Sequence, residues 1–312
     1  MRILVLGAGG TGGYFGGRLS QSGADITFLV RPARAAQLKS RGLQLRSQWG
    51  DADLRVKTVQ SETLTSVAGE RPFDLILLSC KAYDLTSSLG AIAPAMAAHT
   101  MVLPILNGLL HYAELDNCFG SDRVLGGLCF INAAKGYEGE ILHLGRHASI
   151  TFGDRQPIAQ SWHVTQFARL CTSAGLDYLA TPDINQELWD KFTFITTLAA
   201  GTCLMRASVG QIVAAEGGTE FIQALYSECL AVARLSGREI AEQSQAKALA
   251  TLTEPASVVK ASMLRDLEAG QEIEGGHIVG DMLHRAMALD LDAPLLAAAW
   301  GHLQAYQSTR NS

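Results

Sequence analysis

The tightest constraint on this chain lies at its N-terminus. An apolar run, Ile3 to Leu6, stops at Gly7-Ala8-Gly9-Gly10-Thr11-Gly12. A continuous apolar run suits a strand covered on both faces. The glycines that follow have GxGxxG spacing and open a helix expected from about Thr11 to Ser22. Each glycine has its own task in such a turn. Gly7 permits the tight bend, Gly9 lets backbone approach a pyrophosphate, and Gly12 lets helix and strand pack closely. The helix start then offers free N–H groups and a positive dipole end to phosphate. Gly7, Ala8, Gly9, Gly10, Thr11 and Gly12 are therefore read as a dinucleotide cradle. A glycine turn that binds nothing is the plainer reading, and the flanking strand and helix weigh against it.

The next strand, Ile26 to Val30, bears on which dinucleotide is held. An NAD site usually ends this strand with Asp or Glu for the ribose 2′-hydroxyl. Here the chain reads Phe28-Leu29-Val30-Arg31, with Arg34 close by. An arginine suits a 2′-phosphate through charge-assisted, bidentate contact. The expected cofactor is NADP(H), and the same logic argues against FAD.

Length and pattern set the architecture. At about 150 residues per domain, 312 residues suggest two domains. The first half alternates apolar runs (Leu75–Leu78, Val102–Ile105, Val124–Phe130) with helical segments, which implies a mostly parallel, doubly wound sheet. The stretch from Leu43 to Val59 alternates weakly, like a hairpin. Ile141, His143, Ile150 and Phe152 suggest a further antiparallel pair. From Asp183-Ile-Asn-Gln186, a capping-box signal, the pattern turns helical. Phe221 to Leu235 is one amphipathic run. Pro255 is expected to open a helix ending near Gly270, a new helix to begin near Glu272, and the last at Asp292-Ala-Pro294. The reading is α/β: a Rossmann-like, doubly wound NADP-binding domain over 1–182 and an all-helical substrate and dimerisation domain over 183–312.

Composition excludes several classes. Hydrophobic residues make up 48% and charged residues 18%, enough for a sizeable core and against global disorder. A net charge of −5 argues against nucleic acid or an anionic membrane as partner. No stretch approaches the roughly 18 apolar residues of a membrane span, and MRILVLGAGG lacks a signal-peptide layout. The six cysteines form no CxxC pair and are read as buried thiols of a reducing compartment, with the cytoplasm as the default. His143 and His147 have metal-pair spacing, but Gly145 between them argues against a helix and no acid or thiol completes a site. His277 follows Glu274 closely enough to share its surroundings. The apolar stripes of the last helices are read as core or as a homodimer face.

Further motifs follow the glycine turn in order. Ser79-Cys80-Lys81-Ala82 and Leu106-Asn107-Gly108 each end a strand. Glu187-Leu188-Trp189-Asp190-Lys191 lies in the first helix of the second half, and Ser262-Met263-Leu264-Arg265-Asp266 precedes Glu274. Taken together over nearly the whole chain, they resemble the ketopantoate reductases (2-dehydropantoate 2-reductases). The resemblance implies an NADP-binding domain, a helical domain and an active site in the cleft between them. It gives Lys191 as the general acid and Asn107 beside nicotinamide and substrate. Lys81 joins Arg31 near the adenosine phosphate, and Ala134 is a cofactor-contacting backbone position. Ser262 binds substrate, and Glu274 lies near the lysine and the nicotinamide ribose. Reduction of ketopantoate to pantoate, in pantothenate and coenzyme A biosynthesis, is the activity it implies.

The residue types suit that chemistry. Reducing a 2-oxo acid needs a hydride at the carbonyl carbon and a proton at its oxygen, and a lysine ammonium can polarise and then protonate that oxygen. Asn107 offers both a donor and an acceptor, and Ser262 can donate to a carboxylate. Ser262 and Glu274 lie 12 residues apart, about 18 Å along a single helix, but a break at Gly270 would let two helices bring both to one site. Plainer readings stand beside these: Lys191 and Lys81 as solvated lysines, Asn107-Gly108 as a turn, Ser262 and Glu274 as ordinary helix-start residues. The family's substrate asparagines are replaced by Ile195, Ala199 and Val259, with Val209 at the loop position, so the substrate wall is less polar. Thr196, Thr197 and Thr202 are candidate replacement hydroxyls. Two alternatives stay open: a reductase of a more apolar 2-oxo acid, and a non-catalytic NADP(H)-binding regulator.

Overall fold

The computed structural model describes residues 1–156 and 160–310. The chain separates into two compact units, Met1–Leu106 with His111–Asn185, and Asn107–Leu110 with Gln186–Ser312. The first unit opens with β1 (Arg2–Leu6), α1 (Gly10–Gln21), β2 (Asp25–Leu29), α2 (Pro32–Arg41), β3 (Leu43–Arg46), β4 (Ala52–Leu54) and β5 (Lys57–Val59). It continues through α3 (Ser61–Glu70), β6 (Leu75–Leu78), α4 (Leu85–Ile92), β7 (Met101–Pro104), α5 (His111–Phe119), β8 (Gly126–Lys135), β9 (Ile141–Gly153), α6 (Trp162–Ser173) and β10 (Asp177–Ala180).

Its main sheet is parallel throughout, in the order β5-β2-β1-β6-β7. The order reverses at β1, so the expected doubly wound arrangement is present. Ligands of such sheets bind outside the carboxyl ends of the strands at that reversal, and there the chain places Gly7 after β1 and Ser79 after β6.

A second, mixed sheet runs β10-β9-β3-β4, with β8 pairing β9 antiparallel. The expected antiparallel pair around Ile141 and Ile150 is instead the single strand β9, and β8 is its partner. Pairing steps from Ile131↔Ala148 to Ala133↔His143, so residues 144–147 stand out of the ladder. Gly145, at φ +139°, allows this bulge, and the His143 ring nitrogen Nε2 lies 3.0 Å from the His147 carbonyl across it. The two histidines therefore close a bulge on one strand. Leu43–Leu45 and Ala52–Leu54 do form the expected hairpin.

Helix α1 explains its own composition. Five of its 12 residues are glycine, a poor choice for an isolated helix. A Cβ at Gly16 would sit 2.8 Å from the Phe28 ring of the main sheet, and one at Gly13 2.9 Å from Ile141 of the second. Gly17 closes on Leu45 at 3.0 Å. The glycines let one helix pack between two sheets. Phe15, Phe28, Phe152 and Phe167 fill the core around it, all nearly inaccessible.

The second unit is helical: α7 (Ile184–Met205), α8 (Val209–Val213), α9 (Gly218–Leu235), α10 (Glu242–Leu252), α11 (Ser262–Glu268), α12 (Asp281–Ala288) and α13 (Pro294–Arg310). The helix expected to open at Pro255 begins only at Ser262. Residues before it lie across the start of α8, where the N–H groups of Val209 and Gly210 donate to the carbonyls of Val259 and Ser257. Pro255 and Ala256 form a turn instead, with Ala256 at φ +58°, and the tertiary bonds of the residues that follow override the local helix signal. The helix expected near Glu272 starts later, as a π-helical turn over Gly276–Gly280 that leads into α12. The cysteine reading needs correction too. Cys129, Cys171, Cys203 and Cys229 are buried, but Cys118 is exposed and Cys80 half-buried. No helix among the described residues is long and apolar enough to cross a membrane.

Substituting Gly16→Val would force a branched side chain against Phe28 and Val5. The expected cost is about 1–3 kcal/mol, read as a lower urea midpoint at unchanged slope. An unchanged midpoint would show that α1 is not clamped between the sheets.

Candidate active site

At the carboxyl end of the main sheet lies a cavity of about 480 Å³, walled by the Gly7–Gly9 loop, Val30, Arg31, Ser79, Asp84 and Lys135 among others. The loop fits a pyrophosphate. Gly7 has φ +81°, and a Cβ at Gly7 or Gly9 would meet no atom within 4 Å, so the space above the backbone is open. Gly12 is closed instead: a Cβ there would run into Ser79 Oγ. The first turn of α1 carries no side-chain cap and no acidic residue. Its N–H groups and positive dipole end remain available to an anion. Thr11 is the second residue of that turn. Gly10 packs on β8 of the second sheet, where a Cβ would lie 2.5 Å from the Ala133 carbonyl oxygen and 3.1 Å from the Ala134 nitrogen. This puts Ala134 beside the loop.

The two arginines near β2 differ in what they are free to do. Arg34 donates to the carbonyls of Ala8 (2.9 Å) and Gly139 (2.7 Å) and to Gln37 Oε1 (2.5 Å). It ties the glycine loop to the β8–β9 turn, and burial lowers its pKa below the usual arginine value. Arg31 caps the start of α2, with its side chain 86% exposed and Nη2 3.9 Å from Asp84 Oδ1. Arg31 thus holds an exposed guanidinium at the cavity wall. Lys81 is half-buried, between Cys80 of the cavity wall and the one-turn helix Ala82–Asp84. Sequence reasoning missed Asp84 and Lys135. Each is a lone charged residue just beyond a motif, Asp84 three places past Lys81 and Lys135 directly after Ala134, with no pattern to mark it.

In the second unit, Lys191 sits two turns into α7 and is only 6% exposed. Its Nζ donates to Asn107 Oδ1 at 2.9 Å. A solvated, snorkelling lysine does not fit that burial. Asn107 is held by its neighbour. Gly108 has φ +81°, and a Cβ there would run into the His277 carbonyl oxygen. His277 belongs to the π-helical turn, and its N–H donates to the Glu274 carbonyl at 3.1 Å. Glu274, also 6% exposed, lies two residues before that turn begins. Short π turns recur at functional sites. The face of Trp300 packs along the same turn, within 3.3–3.7 Å of Cβ positions on Gly275, Gly276 and Gly280. One local structure thus carries Lys191, Asn107 and the backbone leading from Glu274. Ser262 is the first residue of α11 and is exposed.

The positions that replace asparagines are apolar in place as well as in type. Ala199 is buried in the core of the helical unit and Ile195 packs against it. Val209 is fully buried, and Val259 is half-buried with its carbonyl bonded to Val209. The Thr197 hydroxyl donates to the Thr193 carbonyl and that of Thr202 to the Leu198 carbonyl. The Thr196 hydroxyl is buried without a hydrogen-bond partner. Among the described residues no group of three or more His, Cys, Asp or Glu side chains could hold a metal ion.

With this geometry in hand, comparison with known proteins gives one consistent outcome. The profile "Ketopantoate reductase PanE/ApbA" matches residues 3–157, and "Ketopantoate reductase PanE/ApbA C terminal" matches residues 183–307. The chain is 34% identical over 311 residues to the Bacillus subtilis (strain 168) protein "Uncharacterized oxidoreductase YkpB", covering 99% of this chain and 100% of that one. It is 26% identical to the 2-dehydropantoate 2-reductase of Pyrococcus horikoshii, over 99% of this chain and 98% of that one. The crystal structure of 2-dehydropantoate 2-reductase from Geobacter metallireducens GS-15 superposes with a TM-score of 0.87 at 27% identity, over 98% and 99% of the two chains. The protein belongs to the ketopantoate reductase family, and it is an NAD(P)-dependent oxidoreductase acting on CH–OH groups. The reading as a non-catalytic regulator gives way to that membership.

Gly108→Ala is expected to lower stability by about 2 kcal/mol or more, from a left-handed alanine and its overlap with a backbone carbonyl. Turnover should fall with it, because Asn107 moves off Lys191. Thermal denaturation and initial rates check both; a variant unchanged in either would show that Gly108 does not hold Asn107.

Proposed function

We propose that the protein reduces a 2-oxo acid to the 2-hydroxy acid with NADPH, with ketopantoate as the substrate, pantoate as the product and pantothenate and coenzyme A biosynthesis as the setting. The observation that carries the reading is the buried Lys191 ammonium bonded to Asn107 Oδ1 at 2.9 Å. Burying a cation is costly unless it has partners and a use. Bound NADPH supplies the hydride to the carbonyl carbon. Lys191 polarises the carbonyl oxygen and gives it a proton, so that no free alkoxide forms. Asn107 fixes the direction of the ammonium by accepting one of its hydrogens. The cofactor is held by the Gly7–Gly12 turn, Arg31, Lys81 and the Ala134 backbone, with Glu274 toward the nicotinamide ribose. Ser262, exposed at the start of α11, offers its hydroxyl to the substrate carboxylate. Catalysis is assigned to the cytoplasm, in a monomer or homodimer.

Ile195, Ala199 and Val259 support a second reading within the same chemistry, a more apolar 2-oxo acid. A buried polar substrate group left unpaired costs about 1–3 kcal/mol, enough to move specificity by one or two orders of magnitude. NADPH oxidation at 340 nm with ketopantoate, beside 2-oxo acids bearing larger apolar chains, separates the two. Turnover of ketopantoate above the rest supports the first reading; turnover confined to the apolar acids supports the second. Oxidation of none of them would overturn both.

Lys191→Ala should cut kcat by about 10²–10⁴-fold, the range for loss of a positioned acid, while leaving the NADPH dissociation constant unchanged by fluorescence titration. Normal turnover in that variant would remove Lys191 from the proposed role.

A further inference from the structure

The dinucleotide cavity holds a charge that the phosphate-binding reading does not use. Among the described residues lining it, Asp84 is the one carboxylate, in a wall that also carries Arg31, Arg34 and Lys135. Its side chain is 45% exposed, and its Oδ1 lies 3.9 Å from Arg31 Nη2. Arg34 is committed to three oxygens of the loop framework, which leaves Arg31 as the arginine free to turn toward a ligand. Asp84 therefore faces the group on which discrimination between the two nicotinamide dinucleotides depends. The end of β2 carries no acid, so this carboxylate arrives from a different element, the one-turn helix after β6.

We infer that Asp84 sets the balance between NADPH and NADH. This inference rests on the NADPH reading above. A 2′-phosphate must take Arg31 from Asp84 and then stand near an uncompensated carboxylate, so Asp84 weakens NADPH binding. A ribose 2′-hydroxyl brings no charge and can donate a hydrogen bond to a carboxylate, so Asp84 does not oppose NADH. The chain is an NADPH enzyme whose margin over NADH is held small by one residue. Both side chains are well exposed, so the effect is screened by salt.

The test is direct binding, by the fluorescence of the reduced nicotinamide, on wild type, Asp84→Asn, Arg31→Ala and the double variant at low ionic strength. Asp84→Asn is expected to tighten NADPH about threefold, equivalent to about 0.7 kcal/mol, with NADH unchanged or weaker. The gain should shrink in 0.5 M salt, and it should shrink when Arg31 is already absent. Equal effects on both dinucleotides, or no effect on NADPH, would overturn the role of Asp84. Failure of the NADPH reading looks different: Arg31→Ala would then leave NADPH affinity intact, or wild type would not bind NADPH. Either of those results overturns the inference along with the reading it rests on.

Discussion

The hydrogen bond from Lys191 to Asn107 is the interaction to which the helical unit is shaped. The two residues are far apart in sequence, and Asn107 belongs to a tetrapeptide that leaves the strand-rich part of the chain to join the helices. Holding it there needs a residue with no side chain at 108, because the His277 carbonyl occupies the space a Cβ would fill. That carbonyl is in position because the chain adopts a π-helical turn after Glu274. The Trp300 ring lies along the turn beside Gly275, Gly276 and Gly280. The result is a buried lysine amine at a set position, the preorganisation that the proposed proton donor requires.

The dinucleotide unit answers a different constraint with the same residue type. Its first helix has to pass between two sheets and also present a bare N-terminus to phosphate. Glycines on its two faces admit Phe28 on one side and Ile141 and Leu45 on the other. The loss of intrinsic helix propensity is offset by the apolar surface that both sheets bury against it. Arg34 then anchors the loop by bonding to Ala8, while Arg31 stays exposed beside Asp84. A neighbouring pair of arginines thus divides into one that is structural and one left exposed at the cavity wall, a division that depends on which of them finds backbone carbonyls within reach.

Much of this was legible in the chain itself. The glycine spacing after an apolar run marks the cradle, because only that order of strand, turn and helix gives a free helix end to a phosphate. The parallel strands follow from uniformly apolar runs, and the long helices of the second half from capping and periodicity. Less legible were features in which local preference lost to tertiary contact. Pro255 signals a helix start, but it opens a turn, and the carbonyls of Ser257 and Val259 bond to Gly210 and Val209, so the helix is delayed to Ser262. Ile141 and Ile150 read as two antiparallel strands, yet β9 runs through both, paired with β8, and the interruption is a bulge on one strand.

The proposed acid, its asparagine and the proposed phosphate-facing arginine were singled out by the order of motifs along the chain, since each residue type alone also has a plainer reading. What they touch was decided in three dimensions. No pattern in the sequence says that Lys191 is buried rather than solvated, that Ser262 is exposed, or that Asp84 faces Arg31. Those facts depend on contacts between segments tens to scores of residues apart. Local rules of propensity, spacing and capping act over a few residues and so fix elements and their order; burial and charge pairing arise only when distant segments meet.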